Sequence, residues 1–215
     1  MPKAWLTVEL EDYERHVELG HVGQAAAIRE SLAGAIAAFQ PDSMLYLGCA
    51  GGNGLEAASG MRRVVGVDLN PGYLEKAAQR HPAAEFLCWD LNNGAPHIPP
   101  VDLIFCALVL EYVDALEALL RSLSSRVTTN GRLVALLLGV KDDAPAVLPS
   151  PYRAALAGVG AEYKPISIHS FKEKAASAGW ILDEAREISL PSGKYFSELI
   201  LTLAPAQHTA LDIPA

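Results

Sequence analysis

Residues 44–68 read MLYLGCAGGNGLEAASGMRRVVGVD, and their order decides the fold. Met44 to Leu47 is a short apolar run suited to a strand. Gly48-Cys49-Ala50-Gly51-Gly52-Asn53-Gly54 follows as a loop almost free of side-chain bulk. Leu55 to Ser59 can form a short helix, Arg63 to Val67 is a second, valine-rich strand, and Asp68 closes the unit. Strand, glycine-rich turn, helix, strand and terminal acid make half of a doubly wound nucleotide-binding sheet. Small residues let a ligand lie against backbone N–H groups at a helix N-terminus. A right-handed crossover returns the chain beside its first strand. The acid at the end of the second strand then faces a ribose, where one carboxylate can accept from two hydroxyls.

Outward from this unit, 215 residues suffice for one domain with a single core, with or without an appendage. Apolar residues at 51% and charged ones at 20% fit a globular chain. A formal charge of −8 argues against a nucleic-acid or anionic-membrane surface, which requires clustered Lys and Arg. No apolar run reaches the ~18 residues of a membrane span, and Glu and Asp stand where a signal peptide has its apolar core. Three cysteines far apart give neither a disulfide framework nor metal-ligand spacing. A reduced, cytoplasmic protein without a metal is expected.

Before the central unit, residues 1–21 are polar and mixed. If ELEDYERHVEL is helical, Tyr13 and His16 share one face. The segment then either packs on the sheet edge as a surface helix or crosses the ligand as a lid. Gln24 to Phe39 is amphipathic, with Ala25, Ile28, Leu32, Ile36 and Phe39 at helical spacing and Pro41 as its stop. After the unit, Asn70-Pro71 starts a helix with Asn70 as cap and Leu74, Ala77 and Ala78 as the buried stripe. Glu85 to Trp89 is a strand ending at Asp90, and Val101 to Leu110 is another, apolar enough to be covered on both faces. Asp114 with Glu117 reads as a capping box, ahead of a stripe formed by Leu116, Leu119, Leu120 and Leu123. Asn130-Gly131 turns the chain into a strand from Arg132 to Leu138. Residues 139–166 lack periodicity and hold Tyr152, Tyr163 and Lys164; stretches of this kind are functional or mobile. Ser170 to Glu173 is a second capping box, for a helix that ends at Gly179. Trp180 to Ile188 and Tyr195 to Leu203 pair as antiparallel strands, and residues 205–215 form a frayed tail.

Taken together, these residues resemble the class I S-adenosylmethionine-dependent methyltransferases. LYLGCAGGNG resembles that family's first motif, VVGVD its second, and CWDL, with Asp90, its third. VDLIFCALVLEYVD resembles the family's fourth strand, NGRLVALLL its fifth, and the closing hairpin its antiparallel end. The resemblance implies a doubly wound α/β sheet of seven mostly parallel strands, with one reversed near the C-terminus. It spans a domain over residues 22–204. It also implies S-adenosyl-L-methionine as cofactor, held by Gly48, Cys49, Ala50, Gly51, Asp68, Leu69, Tyr73, Asp90, Leu91 and Ala107. Asp68 would take the ribose and Asp90 the adenine amino group. A methyl group would pass to an O, N or S atom of a small-molecule acceptor.

Two positions depart from the motif. The first-motif acid falls on Tyr46, which removes a carboxylate that orients the loop and the methionine amino group. The second glycine falls on Ala50, whose side chain requires a negative φ. Candidates for the acceptor side are Tyr13, His16 and Tyr112, and candidates for catalysis are His16, Glu111 and Tyr112. His16 and His169 are the histidines in segments that can reach the site; Cys49, Cys88 and Cys106 read as small buried apolar residues. Two other readings compete. One is a non-catalytic relative that binds the cofactor as a regulatory partner, favoured by Tyr46. The other is a nicotinamide-dependent oxidoreductase, whose G-x-G-x-x-G falls here on Gly48, Ala50 and Asn53.

Overall fold

The structure is a computed structural model that describes residues 4–140 and 145–205. Seven strands form one sheet in the order β3-β2-β1-β4-β5-β7-β6. They are β1 (Ser43–Leu47), β2 (Arg63–Asp68), β3 (Glu85–Cys88), β4 (Val101–Ala107), β5 (Val127–Gly139), β6 (Trp180–Ser189) and β7 (Tyr195–Leu203). Strands β1 to β5 are parallel, whereas β7 runs antiparallel to both β5 and β6. The expected seven-stranded α/β sheet with one reversed strand is the one observed.

Strand alternation sorts the core into two layers. Leu45, Leu47, Val65, Val67, Ile104, Cys106, Leu133 and Ala135 face one side. There they meet α4 (Leu116–Leu123) and α6 (Ile168–Ser177). Met44, Tyr46, Val64, Leu103, Phe105, Val134 and Leu136 face the other, against α2 (Gln24–Phe39) and α3 (Pro71–Arg80). Because both faces are covered, β1 is buried at every residue. Leu119 of α4 is fully buried, so Leu119→Ala would cost ~2–5 kcal/mol through lost transfer and a residual cavity. On the opposite layer, Ser31 of α2 donates to the buried Glu198 of β7, whose charge is balanced by Arg186 of β6. That contact fixes α2 across the reversed end of the sheet.

Several boundaries differ from the sequence reading. Strand β4 stops at Ala107, because Leu108 adopts a left-handed backbone (φ 55°) that turns the chain away. Asn130-Gly131 is not a turn between elements. Strand β5 already runs from Val127, and its register on β4 jumps from Val127 to Arg132, so residues 128–131 bulge. Asp114 caps nothing: its carboxylate pairs with Lys164 and its N–H donates to Asn92 Oδ1, leaving α4 without a side-chain cap. Helix α6 begins one turn earlier than Ser170, because Ser167 Oγ accepts from the Ser170 N–H. Asn70 caps α3 as expected, but Tyr73 replaces the exposed Ala78 in its buried stripe. Cys88 is exposed at a strand end, while Cys49 and Cys106 are buried. The tail expected at 205–215 lies outside the described residues beyond 205. Among the described residues, no helix is long and apolar enough to cross a membrane.

Candidate functional site

The connections from β1 and from β4 leave on opposite sides of the sheet, which opens a crevice at the C-terminal ends of these two central strands. The glycine loop after β1 forms one lip. Gly48 sits at φ 66°, and a Cβ there would lie 2.6 Å from the Val109 side chain. Only glycine lets the fourth-strand connection close over the loop.

Asp68 ends β2 inside this crevice. Its Oδ2 accepts from the Ala50 N–H and its Oδ1 from the Asn70 N–H, both at 2.9 Å. No described cation pairs with it. Desolvation pushes its pKa up against the pull of these backbone donors. The carboxylate lines the crevice. Ala50 does not keep a negative φ: it is held at 46°, because its N–H must turn toward Asp68. Both Ala50 and Leu108, non-glycine residues in the left-handed region, lie on the crevice.

Three adjoining cavities occupy the crevice. The first, of about 70 Å³, is lined by Gly48, Ala50, Asp68, Leu69, Tyr73, Asp90, Leu91 and Ala107, together with Tyr13 and Tyr112. Asp90 lies on its far wall, where Oδ1 accepts from the Asn92 N–H at 2.9 Å and from Asn92 Nδ2 at 3.0 Å. The second cavity, of about 290 Å³, runs along the glycine loop past Cys49 and Gly51. Its walls carry charges of both signs: Glu14 and Glu18 from α1 (Leu10–Glu18), paired with Arg80 and Arg29. Arg29 also donates to Asn53 Oδ1 at 2.8 Å, and Asn53 Nδ2 to the Ala25 carbonyl at 3.2 Å. Tyr46, where the motif has an acid, reaches the Asn53 carbonyl at 3.4 Å. The loop is therefore braced from α2 rather than by a carboxylate of β1.

The third cavity, of about 50 Å³, lies beyond Tyr13 and is lined by His16, Gln24, Tyr112 and Tyr163 among mainly apolar residues. Tyr13 borders all three. The N-terminal segment supplies this partition by crossing the crevice. Tyr73 Oη donates to the Val8 carbonyl at 2.8 Å, and Asn70 Nδ2 to the Trp5 carbonyl at 2.9 Å. Trp5 meets Tyr13 and Tyr112 edge-on, with ring centroids 5.2 and 5.4 Å apart. Lys76 binds Glu11 from the α3 side at 2.5 Å.

Of the catalytic candidates, His16 is 5% exposed, with Nδ1 2.9 Å from Ser150 Oγ, and burial lowers its pKa. Tyr112 borders both the first and third cavities. Glu111 borders neither. It turns back to accept from the Leu138 N–H at 2.7 Å, its Oε2 has no partner among the described residues, and burial pushes its pKa up to about 7. His169 is exposed beside Glu173, away from the crevice. Residues not singled out from sequence include Trp5, Trp89, Asn92 and Val109 in the first cavity, and Gln24, Val147 and Leu156 in the third. Trp5 alone carried a signal, as a large aromatic in a polar segment. The described residues hold no cluster of three or more His, Cys, Asp or Glu placed to bind a metal.

A methyltransferase-domain family matches residues 45–133, which span the glycine loop, Asp68, Asp90 and β4. The trans-aconitate 2-methyltransferase of Klebsiella pneumoniae (strain 342) is 34% identical over 101 residues. That stretch is 46% of this chain and 40% of that enzyme, so this chain spans less than half the length of that relative. Among solved structures, magnesium protoporphyrin IX methyltransferase from Synechocystis PCC 6803 with bound S-adenosylhomocysteine superposes with a TM-score of 0.66 at 16% identity. The match covers 90% of this chain and 94% of that one. The cyclase SpnF shares the fold at a TM-score of 0.64 and 13% identity, over 84% of this chain and 83% of that one. These distant likenesses bear on the fold, which hosts more than one chemistry.

Proposed function

We propose that this chain, which has the class I S-adenosylmethionine-dependent methyltransferase fold and carries a methyltransferase domain over residues 45–133, transfers a methyl group from S-adenosylmethionine to a small-molecule acceptor. One observation carries the reading. Asp68 is a desolvated carboxylate on the crevice wall, held by main-chain N–H groups and paired with no described cation. Such a group is costly unless a ligand donates to it, and the two hydroxyls of a ribose do so. The neighbouring surfaces suit the rest of the cofactor. Leu69, Leu91 and Val113 offer apolar contacts for an adenine, with Asp90 at its edge. The mixed charges of the second cavity suit an amino-acid zwitterion.

The bound cofactor supplies a methyl carbon already activated by a sulfonium. What remains for the protein is alignment and exclusion of water. Tyr13, Trp5 and Tyr112 close the crevice between the cofactor side and the third cavity, so the acceptor would approach across Tyr13 from the side of His16 and Tyr163. Residues 1–21 act in this reading as a lid, tied down by Tyr73 and Asn70. His16, kept neutral by burial, can take a proton where the acceptor must lose one.

Calorimetry with S-adenosylhomocysteine and NAD, followed by turnover of methyl-labelled S-adenosylmethionine, tests the reading. Binding of the sulfur ligand in preference to NAD, with label appearing in an acceptor, is expected. NAD binding without any response to S-adenosylhomocysteine would end it. Cofactor binding with no transfer to any acceptor would favour the non-catalytic alternative, for which Tyr46 at the acid position speaks.

A further inference from the structure

Beyond Tyr13, the third cavity has walls of one electrostatic character. Among the described residues, no Asp or Glu lines it. Gln24 is 6% exposed, borders the cavity, and its amide makes no hydrogen bond to any described residue. It is also the first residue of α2, a 16-residue helix whose N-cap, Gly23, offers no side-chain acceptor. The positive end of that helix, with its unsatisfied N–H groups, therefore stands at the cavity. Gly23 is held at φ 69° against Pro191, in the turn between β6 and β7. The same turn leads to Lys194, which is 2% exposed, with its Nζ donating to the Ala146 carbonyl at 2.6 Å. No described carboxylate pairs with Lys194, and its charge reaches His16. A buried ammonium with a single carbonyl partner is unfavourable alone, and the Gln24 amide, on the cavity wall without a described partner, keeps its donors free. An anionic guest answers both.

We propose that the methyl acceptor is a small carboxylate, anchored by the Gln24 amide, the His16 Nε2–H and the open N–H groups of α2 in the field of Lys194. This rests on the transferase reading above. It draws on residues outside 45–133, so the matched domain does not supply it. A carboxylate has no proton to lose, so His16 acts here as a donor and not as a base, from Nε2 when Ser150 donates to its Nδ1, and the Tyr152 N–H, 3.2 Å from Ser150 Oγ, orients that hydroxyl. A carboxylate suits these few donors better than a phosphate, because Lys194 stands behind the Ala146 wall rather than in the cavity. The aromatic and aliphatic walls, Trp5, Tyr163, Val147 and Leu156, take the apolar body of the acceptor.

The test uses the full chain saturated with S-adenosylhomocysteine, titrated with trans-aconitate, with phenylacetate and with uncharged phenylacetamide. At least one carboxylate is expected to bind saturably, and phenylacetamide at least ~10-fold more weakly than phenylacetate. Gln24→Leu and Lys194→Met should each weaken carboxylate binding ~10-fold or more. Both variants should leave S-adenosylhomocysteine affinity within ~2-fold, which also shows that they fold. Rescue of carboxylate binding by Lys194→Arg is expected, since the charge is retained. The proposal is overturned if neither carboxylate binds the S-adenosylhomocysteine complex, if phenylacetamide binds as well as phenylacetate, or if both variants bind carboxylates like the parent chain. Failure of S-adenosylhomocysteine itself to bind overturns the transferase reading as well.

Discussion

The main-chain N–H of Ala50 donates to Asp68 Oδ2 at 2.9 Å, while Ala50 itself holds a left-handed backbone at φ 46°. Strand β2 thus shapes the loop that follows β1, and the acid that suits a ribose is also the loop's anchor. Asp68→Ala removes both roles. Hydrogen bonds to a charged group contribute ~1.5–3 kcal/mol, so S-adenosylhomocysteine should bind roughly one to two orders of magnitude more weakly. Calorimetry on a variant with native circular dichroism checks this, and an unchanged dissociation constant would remove Asp68 from the cofactor site.

Ala50→Gly should stabilise the protein. An alanine in the left-handed region is strained by ~1–2 kcal/mol, and glycine returns ~0.4–1 kcal/mol of that through the freer unfolded chain. A net gain of about 0.5–1 kcal/mol is expected in urea denaturation. Ala50→Val, branched at the same φ, should lose stability instead. Equal stabilities for all three would contradict the backbone geometry.

Tyr73→Phe takes one hydrogen bond, at 2.8 Å, from the Val8 carbonyl. At ~1 kcal/mol for such a bond, residues 5–18 should exchange amide hydrogens several-fold faster, and S-adenosylhomocysteine should dissociate faster. Faster exchange with unchanged dissociation would mean that the N-terminal segment does not gate the crevice.

Glu111 predicts a pH dependence. Its pKa is about 7 in the folded chain because of burial, against ~4.3 for an ordinary glutamate. The folded state therefore binds more protons between these values, so the stability Glu111 contributes is present at low pH and lost as pH rises toward 7. Glu111→Gln keeps an acceptor for the Leu138 N–H and carries no charge. Between pH 5 and pH 8 the parent chain should lose on the order of 2–3 kcal/mol more than the variant. Parallel urea midpoints across that range would show that Glu111 does not titrate there.

The glycine-loop side of the crevice was legible because it is written in contiguous sequence. Gly48, Asp68 and Asp90 each close a strand whose apolar run is plain, and strand-end position alone places them at the crevice. The surroundings of the third cavity were not. Gln24 looks like an ordinary first residue of an amphipathic helix, and Lys194 like a turn lysine. Their burial depends on the contact of Gly23 with Pro191, which no local pattern announces. Glu111 misled for the opposite reason: it follows β4 as crevice residues do, but Leu108 at φ 55° rotates the chain and sends its carboxylate to the end of β5. Asp114-x-x-Glu117 carried the pattern of a cap, yet a cation fifty residues on, Lys164, claimed the Asp114 carboxylate.

His16, Gln24 and Lys194 come from opposite ends of the chain, whereas the first cavity, apart from Trp5 and Tyr13, is assembled from neighbours between Gly48 and Val113. The two halves of the site therefore differ in contact order. Local pairings close early in folding, and distant ones bear the larger loop-closure entropy. A growing chain released through β4 already holds the segments that shape the crevice, but it lacks the β6–β7 turn that carries Lys194. On the proposed reading, ligand capture and the ability to select an acceptor are then acquired in sequence, the second only when the last hairpin docks.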